Sequence, residues 1–321
     1  MAQHHYMGVD LGSTTAKTVV LDDTGAVVAA LIVQMGAVSR AGLQRSVDGA
    51  LAQAGLTAAD IRYTIGTGYG RRLVPGVGRT FTEITCHARG VAAVFPEARL
   101  VIDIGGQDSK VIAVDPWGLV DQFAMNDRCA SGTGRFYEVL ARALECEIDE
   151  LGALALAGTR DLDVSTMCAT FAETEIISLL AEGAGREDVA ASVHRAIAHR
   201  VLGLVAQVGK RPTIVMTGGV ARNAAAVHFL SEALAQPLLR PADPQIMGAY
   251  GAALLALETS TGKTFKGGDV AKIEQVERAV EASFKPANRP VPACTDCSGE
   301  LTAAPVASLG GIPVHAVPVS R

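Results

Sequence analysis

Apolar residues concentrate in short runs near the start of the chain, and small polar residues with glycine separate the runs. Residues 7–10, 16–21 and 26–33 are largely apolar, whereas residues 11–15 and 22–25 are rich in glycine, threonine and aspartate. Runs of this length bounded by turn residues are typical of buried strands joined by tight turns. The pattern therefore predicts a three-stranded unit in residues 7–33.

The same order of strands and turns is predicted a second time. Residues 100–103, 110–114 and 119–125 form strand-like runs, with a glycine-containing turn in each interval. In both copies the first strand ends at an Asp, an apolar residue and a glycine follow, and a lysine stands seven positions after the Asp. These pairs are Asp10 with Lys17 and Asp103 with Lys110. One such loop arises easily by chance, but two in matching contexts indicate a repeated module.

The second half of the chain carries the spacing of amphipathic helices. Between residues 135 and 145, apolar side chains recur every three to four positions, which places them on one helix face. Residues 214–217 read as a buried strand that runs into Gly218 and Gly219 and then into a helix. The other predicted helices cover residues 169–181, 189–208 and 270–282. Strands and helices together predict an α/β protein.

Composition narrows the class of protein further. The 321 residues are 49% hydrophobic but only 4% aromatic and include 34 glycines, a balance typical of a globular α/β enzyme. The 28 basic and 33 acidic residues give a net charge of −5, without any basic run of five or more. A broad nucleic-acid or anionic-membrane surface is therefore not expected. The length suggests about two domains.

The sequence also predicts where the protein resides. Its longest apolar runs, at residues 25–33 and 247–257, fall short of the roughly 18 residues that span a bilayer. The N-terminus lacks a basic segment followed by an apolar stretch, and six scattered cysteines do not form a secreted disulfide framework. We expect a cytoplasmic protein whose cysteines are thiols or metal ligands.

The glycine-rich turns are candidates for phosphate binding. Glycine and small hydroxyl residues let backbone N–H groups converge on an anion, and an Asp at a strand end can hold hydrated Mg²⁺. We expect Asp10 and Asp103 to organise Mg²⁺ through water and Gln107 to orient the attacking water. The other candidate phosphate ligands are Gly12, Ser13, Thr14, Thr15, Lys17, Gly105 and Gly106, and those near a nucleoside are Gly218, Gly219 and Val220.

Simpler interpretations exist for each turn. Any one of the turns at residues 10–15, 105–109 and 217–221 alone is explained by a plain hairpin or strand-to-helix turn. All three in this order favour a nucleotide site. Residues 66–70 resemble part of a dinucleotide fingerprint, but the last glycine comes one residue early, so an ordinary turn is predicted. Residues 262–264 end like a P-loop, but Leu257 stands where the leading glycine belongs.

Two cysteines precede predicted helices. Cys129 lies in a glycine-rich turn before one helix, and Cys168 ends an extended segment before another. A helix N-terminus lowers the pKa of a thiol, which suits nucleophilic or metal chemistry, and its N–H groups also suit an iron–sulfur cluster. One chain supplies two such cysteines, so a four-cysteine site needs a twofold axis. Two ordinary buried cysteines are the alternative.

Several motifs together resemble a known family. They lie at residues 10–14, 66–71, 86–88, 103–108, 126–136 and 217–221. From about residue 7 to residue 257 the chain is similar to the ATPase activators of 2-hydroxyacyl-CoA dehydratases and the related ATPase subunits of ATP-dependent benzoyl-CoA reductase. The cysteine-bearing motifs are specific to this group.

The resemblance implies a fold, a cofactor and a site. The fold is that of acetate and sugar kinases, chaperones and actin, with two ribonuclease-H-like domains and ATP in the cleft between them. The expected divisions are residues 1–95, residues 96–258 with the cluster-bearing helices, and residues 259–321 with a short helix and a proline-rich extension. The family's dimer bridges one 4Fe-4S cluster, and Cys129 and Cys168 match its ligand positions.

The function that this resemblance implies is ATP-driven transfer of one electron. Ferredoxin or flavodoxin would supply the electron, and a partner acyl-CoA enzyme would receive it. ATP hydrolysis would move the cluster-bearing helices of a homodimer or heterodimer. Residues 129–132 and the extension favour the benzoyl-CoA reductase system over a dehydratase activator. A small-molecule kinase of the same fold and a nucleotide-switched scaffold without electron transfer are the alternatives.

The remaining cysteines and histidines have structural interpretations. Cys86 is expected to pack near the cleft, Cys146 to complete a helix end, and His87 to be a hydrogen-bonded core or interface histidine. The proline-rich tail from Lys285 is expected to be solvated, with partner docking or a metal or redox site at Cys294 and Cys297 as alternatives.

Overall fold

The computed structural model describes residues 4–35, 38–126, 132–164, 169–263 and 270–284. The chain divides into a compact unit of residues 1–282 and a second unit of residues 283–321. The described residues belong almost wholly to the first unit. Of the second unit, only the last two residues of a helix are described.

The first sheet contains the predicted N-terminal unit. Its strands are β1 (His5–Leu11), β2 (Thr15–Asp22), β3 (Val27–Gln34), β4 (Ile61–Thr67) and β5 (Arg79–Thr80), in the order β3-β2-β1-β4-β5. Strands β1 to β3 are antiparallel, and β4 and β5 add in parallel. The crossover from β3 to β4 passes through α1 (Arg40–Ala54), which begins at the N-cap Ser39 because its side chain accepts the N–H of Gly42.

The second sheet repeats this topology. Its strands are β6 (Leu100–Ile104), β7 (Ser109–Val114), β8 (Val120–Asn126), β9 (Ile214–Thr217) and β10 (Leu238–Leu239), in the order β10-β9-β6-β7-β8. The register places Asp10 opposite Lys17 and Asp103 opposite Lys110. The predicted repeated module and α/β class are confirmed. The seven-residue spacing of Asp and Lys therefore makes them cross-strand neighbours.

Helices cover both sheets. They are α2 (Glu83–Val94), α3 (Gly134–Ala143), α4 (Leu151–Leu156), α5 (Ala169–Ala181), α6 (Arg186–Val208), α7 (Ala224–Leu234), α8 (Met247–Thr261) and α9 (Val270–Phe284). All predicted helices are present. The one predicted at residues 135–145 ends earlier, because Glu145 takes the left-handed φ of 50°. Among the described residues, no helix is long and apolar enough to cross a membrane.

Each sheet has its own apolar core. Around the second sheet, Ile102, Phe136 and Ile197 are buried in one large cluster. The first sheet packs on α1 through one cluster, and α8 packs against β1, β2 and β4 through others. The predicted domain boundaries stay predictions, and the structure adds that α8 contacts the first sheet.

Helices α2 and α8 cross at very short range. A Cβ at Gly251 of α8 would lie 1.8 Å from the carbonyl oxygen of Cys86 on α2, so this crossing requires glycine. The two helices also share a buried ion pair, in which Arg89 Nη2 lies 2.5 Å from Glu258 Oε1. Both side chains are almost fully buried, and the pair therefore fixes α2 against α8.

Candidate functional site

A cavity of about 720 Å³ opens where the carboxyl ends of β1 and β6 face each other. Both strands end in a glycine-rich turn at this point, one in each repeat. The cavity brings together nearly all of the candidate residues, namely Asp10, Gly12, Ser13, Thr14, Thr15, Lys17, Asp103, Gly105, Gly106, Gly218, Gly219 and Val220. Gln107 is exposed and is not among the described residues that line the cavity, so its role as a water-orienting group stays a prediction.

Each repeat contributes an Asp–Lys ion pair to this cavity. Lys17 Nζ lies 2.9 Å from Asp10 Oδ2, and Lys110 Nζ lies 3.3 Å from Asp103 Oδ2. Lys110 also lies 2.6 Å from Asp108 Oδ1. The Lys17 side chain is 12% exposed and the Lys110 side chain only 4%. Both lysines line the cavity but differ in their partners: Lys110 lies between two carboxylates, whereas Lys17 pairs with one and is slightly more exposed.

Asp103 is ionised in spite of its burial. Burial alone would raise its pKa, but His87, Lys110 and Lys17 nearby and the hydroxyl of Thr217 lower the pKa to about 2. For Lys110, burial would lower the pKa, but Asp108 and Asp103 raise it. Both groups are charged near neutral pH, and an ionised carboxylate at a strand end is suited to hydrated Mg²⁺.

His87 of α2 contacts the carboxyl ends of β6 and β9 in the second sheet. Its Nδ1 lies 3.3 Å from Thr217 Oγ1 and 3.5 Å from Asp103 Oδ1. The prediction of a hydrogen-bonded core histidine is confirmed, but the side chain also lines the cavity. No local sequence pattern indicates this position, because Thr217 lies 130 residues away along the chain.

The two glycine-rich turns approach each other closely. A Cβ at Gly106 would lie 2.6 Å from Thr14 Oγ1, so the second turn needs glycine where it meets the first. The N–H of Gly134 donates to the carbonyl of Gly105 at 2.8 Å, and Arg135 N–H donates to that of Gly106. The first turn of α3 is therefore hydrogen-bonded directly to the second glycine-rich turn.

Part of the cavity lining is apolar. Ile148 and Leu156, exposed at 45% and 47%, line the cavity together with the turn at Gly218. Asn223 caps α7, accepting the Ala226 N–H, and its amide nitrogen lies 3.1 Å from His194 Nε2. Exposed aliphatic side chains beside a glycine turn can cover the faces of a flat ring such as a nucleobase.

The sequence analysis assigned no role in the site to several residues that line the cavity. They are Gly68, Tyr69, Glu83, Asp108, Lys110, Tyr137, Asn223 and Gln245. The turn predicted at residues 66–70 is present after β4, and because β4 lies parallel to β1 it delivers Tyr69 to the cavity. Burial and the nearby Asp108 carboxylate raise the pKa of the Tyr69 hydroxyl. Tyr69 in the first half of the chain therefore lies near a carboxylate of the second glycine-rich turn.

Cys129 and Cys168 lie outside the described residues. The helices that follow them, α3 and α5, contact each other. Cys86 is buried in the core beside α8, and burial raises its pKa; among the described residues it precedes the cavity-lining His87 but does not itself line the cavity. Cys146 packs partly buried just beyond α3. Within the part of the chain that is described, no group of three or more His, Cys, Asp or Glu residues could hold a metal ion.

Two repeats of one sheet topology, with paired Asp-containing turns that face a single cavity, define an ATPase of the actin-like fold. The family model of the BadF/BadG/BcrA/BcrD ATPases matches residues 7–256, and the chain belongs to this family. The predicted fold class and family resemblance are confirmed.

Three relatives are informative. The activator of lactoyl-CoA dehydratase from Anaerotignum propionicum is 44% identical over 80% of this chain and 99% of its own length. The activator of 2-hydroxyisocaproyl-CoA dehydratase from Clostridium difficile, solved with bound ADPNP, is 39% identical, with a TM-score of 0.77 over 80% of this chain and 96% of its own. A benzoyl-CoA reductase subunit from Thauera aromatica is 33% identical over 77% of this chain and 91% of its length. The predicted preference for the reductase system receives no support from these identities.

Proposed function

We propose that this protein is the ATP-hydrolysing activator of a 2-hydroxyacyl-CoA dehydratase. The observation that carries the proposal is the pair of Asp–Lys hairpin turns facing one cavity. The identity of 44% to a dehydratase activator, against 33% to the reductase protein, supports the choice of partner. The acyl-CoA chemistry then takes place in the partner enzyme.

The phosphates of ATP bind between the two turns. Asp10 and Asp103 hold hydrated Mg²⁺, and Lys17, which lines the cavity, contacts a phosphate oxygen. Backbone N–H groups of the turns at residues 12–15 and 105–106 supply the other donors. The nucleoside lies toward Gly218 and Val220, where Ile148 and Leu156 can cover the base.

Cys129 and Cys168 are the proposed cluster ligands, two from each protomer of a dimer. Thiolates at helix starts are suited to a 4Fe-4S cluster, and the contact between α3 and α5 is consistent with two such cysteines in one region. When bound, such a cluster would carry a single electron from ferredoxin or flavodoxin to the partner enzyme. A cytoplasmic location fits these partners.

The described residues offer a route from nucleotide to helix. Because the first turn of α3 bonds to the carbonyls of Gly105 and Gly106, a nucleotide that moves this loop also moves α3. ATP must bind one arrangement of the loop more tightly than the other to shift the helix at all. Coupling between nucleotide state and the cysteine-bearing segments is therefore expected.

The ATP site is tested with Asp10→Asn, and the control is Asp121→Asn, which removes only an exposed surface ion pair with Arg211. We expect the first variant to lose about 100-fold in ATPase turnover and only about 1–2 kcal/mol of stability. The control should match the wild type. Equal loss of turnover and thermal stability in Asp10→Asn would make Asp10 a structural residue.

The cluster is tested by anaerobic purification followed by absorbance and iron analysis. We expect brown protein with about four iron atoms per dimer, lost in Cys129→Ser and Cys168→Ser but kept in the control Cys146→Ser. Full iron in both serine variants would place the cluster elsewhere, with Cys294 and Cys297 next to be tested. Colourless protein that phosphorylates a sugar would instead support a kinase, and colourless protein that only binds ATP would support a scaffold.

A further inference from the structure

Helix α9 lies outside the part of the chain that its relatives share. The family match ends at residue 256, and the lactoyl-CoA dehydratase activator aligns over 99% of its own length with only 80% of this chain. Helix α9 begins at Val270. The ATPase fold of the relatives is therefore complete without this helix, which raises the question of what it adds.

The added helix packs against the first sheet and the start of α2. Ile273 is 2% exposed and lies in one cluster with Tyr6, Ile65 and Phe81. Glu274 forms an ion pair with Arg79 of β5. These contacts bring one face of α9 against the elements that lead into α2.

Glu277 makes the most specific of these contacts. Its side chain is buried, and it accepts hydrogen bonds from the backbone N–H of Thr82 at 2.5 Å and from the Thr82 hydroxyl at 3.0 Å. The hydroxyl of Thr85 donates a third bond to the same carboxylate. Thr82 is the N-cap of α2, where backbone N–H groups lack partners within the helix. A carboxylate from α9 thus completes the cap of α2.

The first two turns of α2 carry residues of the cavity wall. Glu83 and His87 both line the cavity, and His87 Nδ1 lies 3.5 Å from Asp103 Oδ1. The C-terminal half of α2 is fixed separately, through Arg89 and Glu258. The cap at Glu277 is therefore the contact that α9 adds at the end of α2 nearest Glu83 and His87.

We propose that Glu277 is a positioning residue for ATP hydrolysis: by capping α2 it sets His87 and Glu83 against the Asp103 end of the cavity. The proposal rests on the assignment of this cavity as the ATP site. The turn at Gly218 lies beside Asp103. However, Ile148 and Leu156, the side chains that can cover the base, lie just before and in α4, which packs against α6 and α7 rather than α2. Loss of the cap should therefore impair turnover and leave nucleotide affinity nearly unchanged.

The test compares three full-length variants on α9. Because misplacement by a fraction of an ångström lowers turnover steeply, Glu277→Ala should lower kcat for ATP about tenfold, with the Kd for ADP within about twofold of wild type. Glu277→Gln should keep kcat within about twofold, since its amide oxygen accepts the Thr82 N–H and its NH₂ can donate to the hydroxyls. Glu281→Ala, one turn further along and exposed, is the matched control.

Three results would overturn the proposal. They are a Glu277→Ala protein that melts at a lower temperature but keeps its kcat, one whose kcat and ADP affinity fall together, and a Glu277→Gln protein as impaired as Glu277→Ala. Should Glu277→Ala fail to fold, Thr85→Val removes one of the three bonds from the other side and should lower kcat about threefold; an unchanged kcat there would overturn the proposal. Failure of the ATP-site assignment would show separately, as an Asp10→Asn variant that hydrolyses ATP normally.

Discussion

The lysines of the two repeats stand at equivalent positions, and their environments predict opposite consequences of the same substitution. Lys110 is 4% exposed and neutralises the buried carboxylates of Asp103 and Asp108. Lys17 is 12% exposed and pairs with one carboxylate, that of Asp10, and both lysines line the cavity. Methionine removes the charge from each position and keeps most of the side chain's length and volume. The pair of variants therefore separates a structural lysine from a phosphate-binding one.

The magnitudes follow from burial. Lys110→Met leaves two buried carboxylates without their cation, and breaking a buried pair costs about 3–5 kcal/mol. That is a large part of the roughly 5–15 kcal/mol by which a typical domain is stable. Lys17→Met breaks the pair with a single carboxylate, that of Asp10, and should therefore cost less, about 1–2 kcal/mol. Because Lys17 is proposed to contact the phosphates, its loss should lower ATPase turnover about 100-fold.

The free energy of unfolding is measured by urea titration followed by circular dichroism, and turnover by the rate of phosphate release. Lys263→Met, at an exposed position, serves as the control. We expect the larger loss of stability in Lys110→Met and the larger loss of turnover in Lys17→Met. Equal losses of stability in the two variants would refute the argument from burial, and full turnover in Lys17→Met would refute its contact with phosphate.

Three further predictions concern other parts of the molecule. Burial lowers the pKa of His194 from its ordinary value of 6.5 to about 4, so the unfolded chain binds a proton at higher pH than the folded one. The free energy of unfolding should therefore fall by up to about 3 kcal/mol as the pH drops from about 6.5 to 4, and urea titrations of His194→Gln should lose this pH dependence. Gly251→Ala should destabilise the protein by about 3 kcal/mol, because the added Cβ meets a backbone carbonyl. Gly203→Ala in α6, where a Cβ meets no atom within 4 Å, should stabilise it by about 0.5–1 kcal/mol. Thermal unfolding of both variants checks this, and equal effects would contradict it. Tyr69→Phe should speed ADP release about threefold in stopped-flow measurements, because it removes the hydroxyl that lies near Asp108 across the cleft.

Local pattern predicted most of the fold. Strand runs, turns and helix periodicity are set by neighbours in the sequence, and the repeat was visible because each Asp and Lys occupy matching places in a hairpin. The different burial of Lys17 and Lys110 could not be predicted in the same way. It depends on Asp108 and on what packs over each hairpin, which matching sequence positions do not reveal.

The sequence predicted the glycine-rich turns of the candidate site but missed the side chains that line the rest of the cavity. Glycine-rich turns are recognisable from local sequence, but Glu83 and His87 reach the cavity through the packing of α2 against distant strands. Tyr69 was assigned to an ordinary turn, and only the parallel pairing of β4 with β1 places that turn at the cavity. For α9, the sequence predicted a helix but could not identify what it contacts.

The packing of α8 has a consequence for the order in which the protein folds during synthesis. The first sheet is finished along the chain by residue 80, but Tyr6 and Ile65 are covered by Ala252 and Leu255 of α8. At about 5–20 residues per second, the ribosome needs many seconds more to deliver that helix. The strands and helices of the second sheet, by contrast, are contiguous from residue 100 to residue 239. The half that is made first is therefore the half that is completed last, and its exposed apolar face needs protection in the interval.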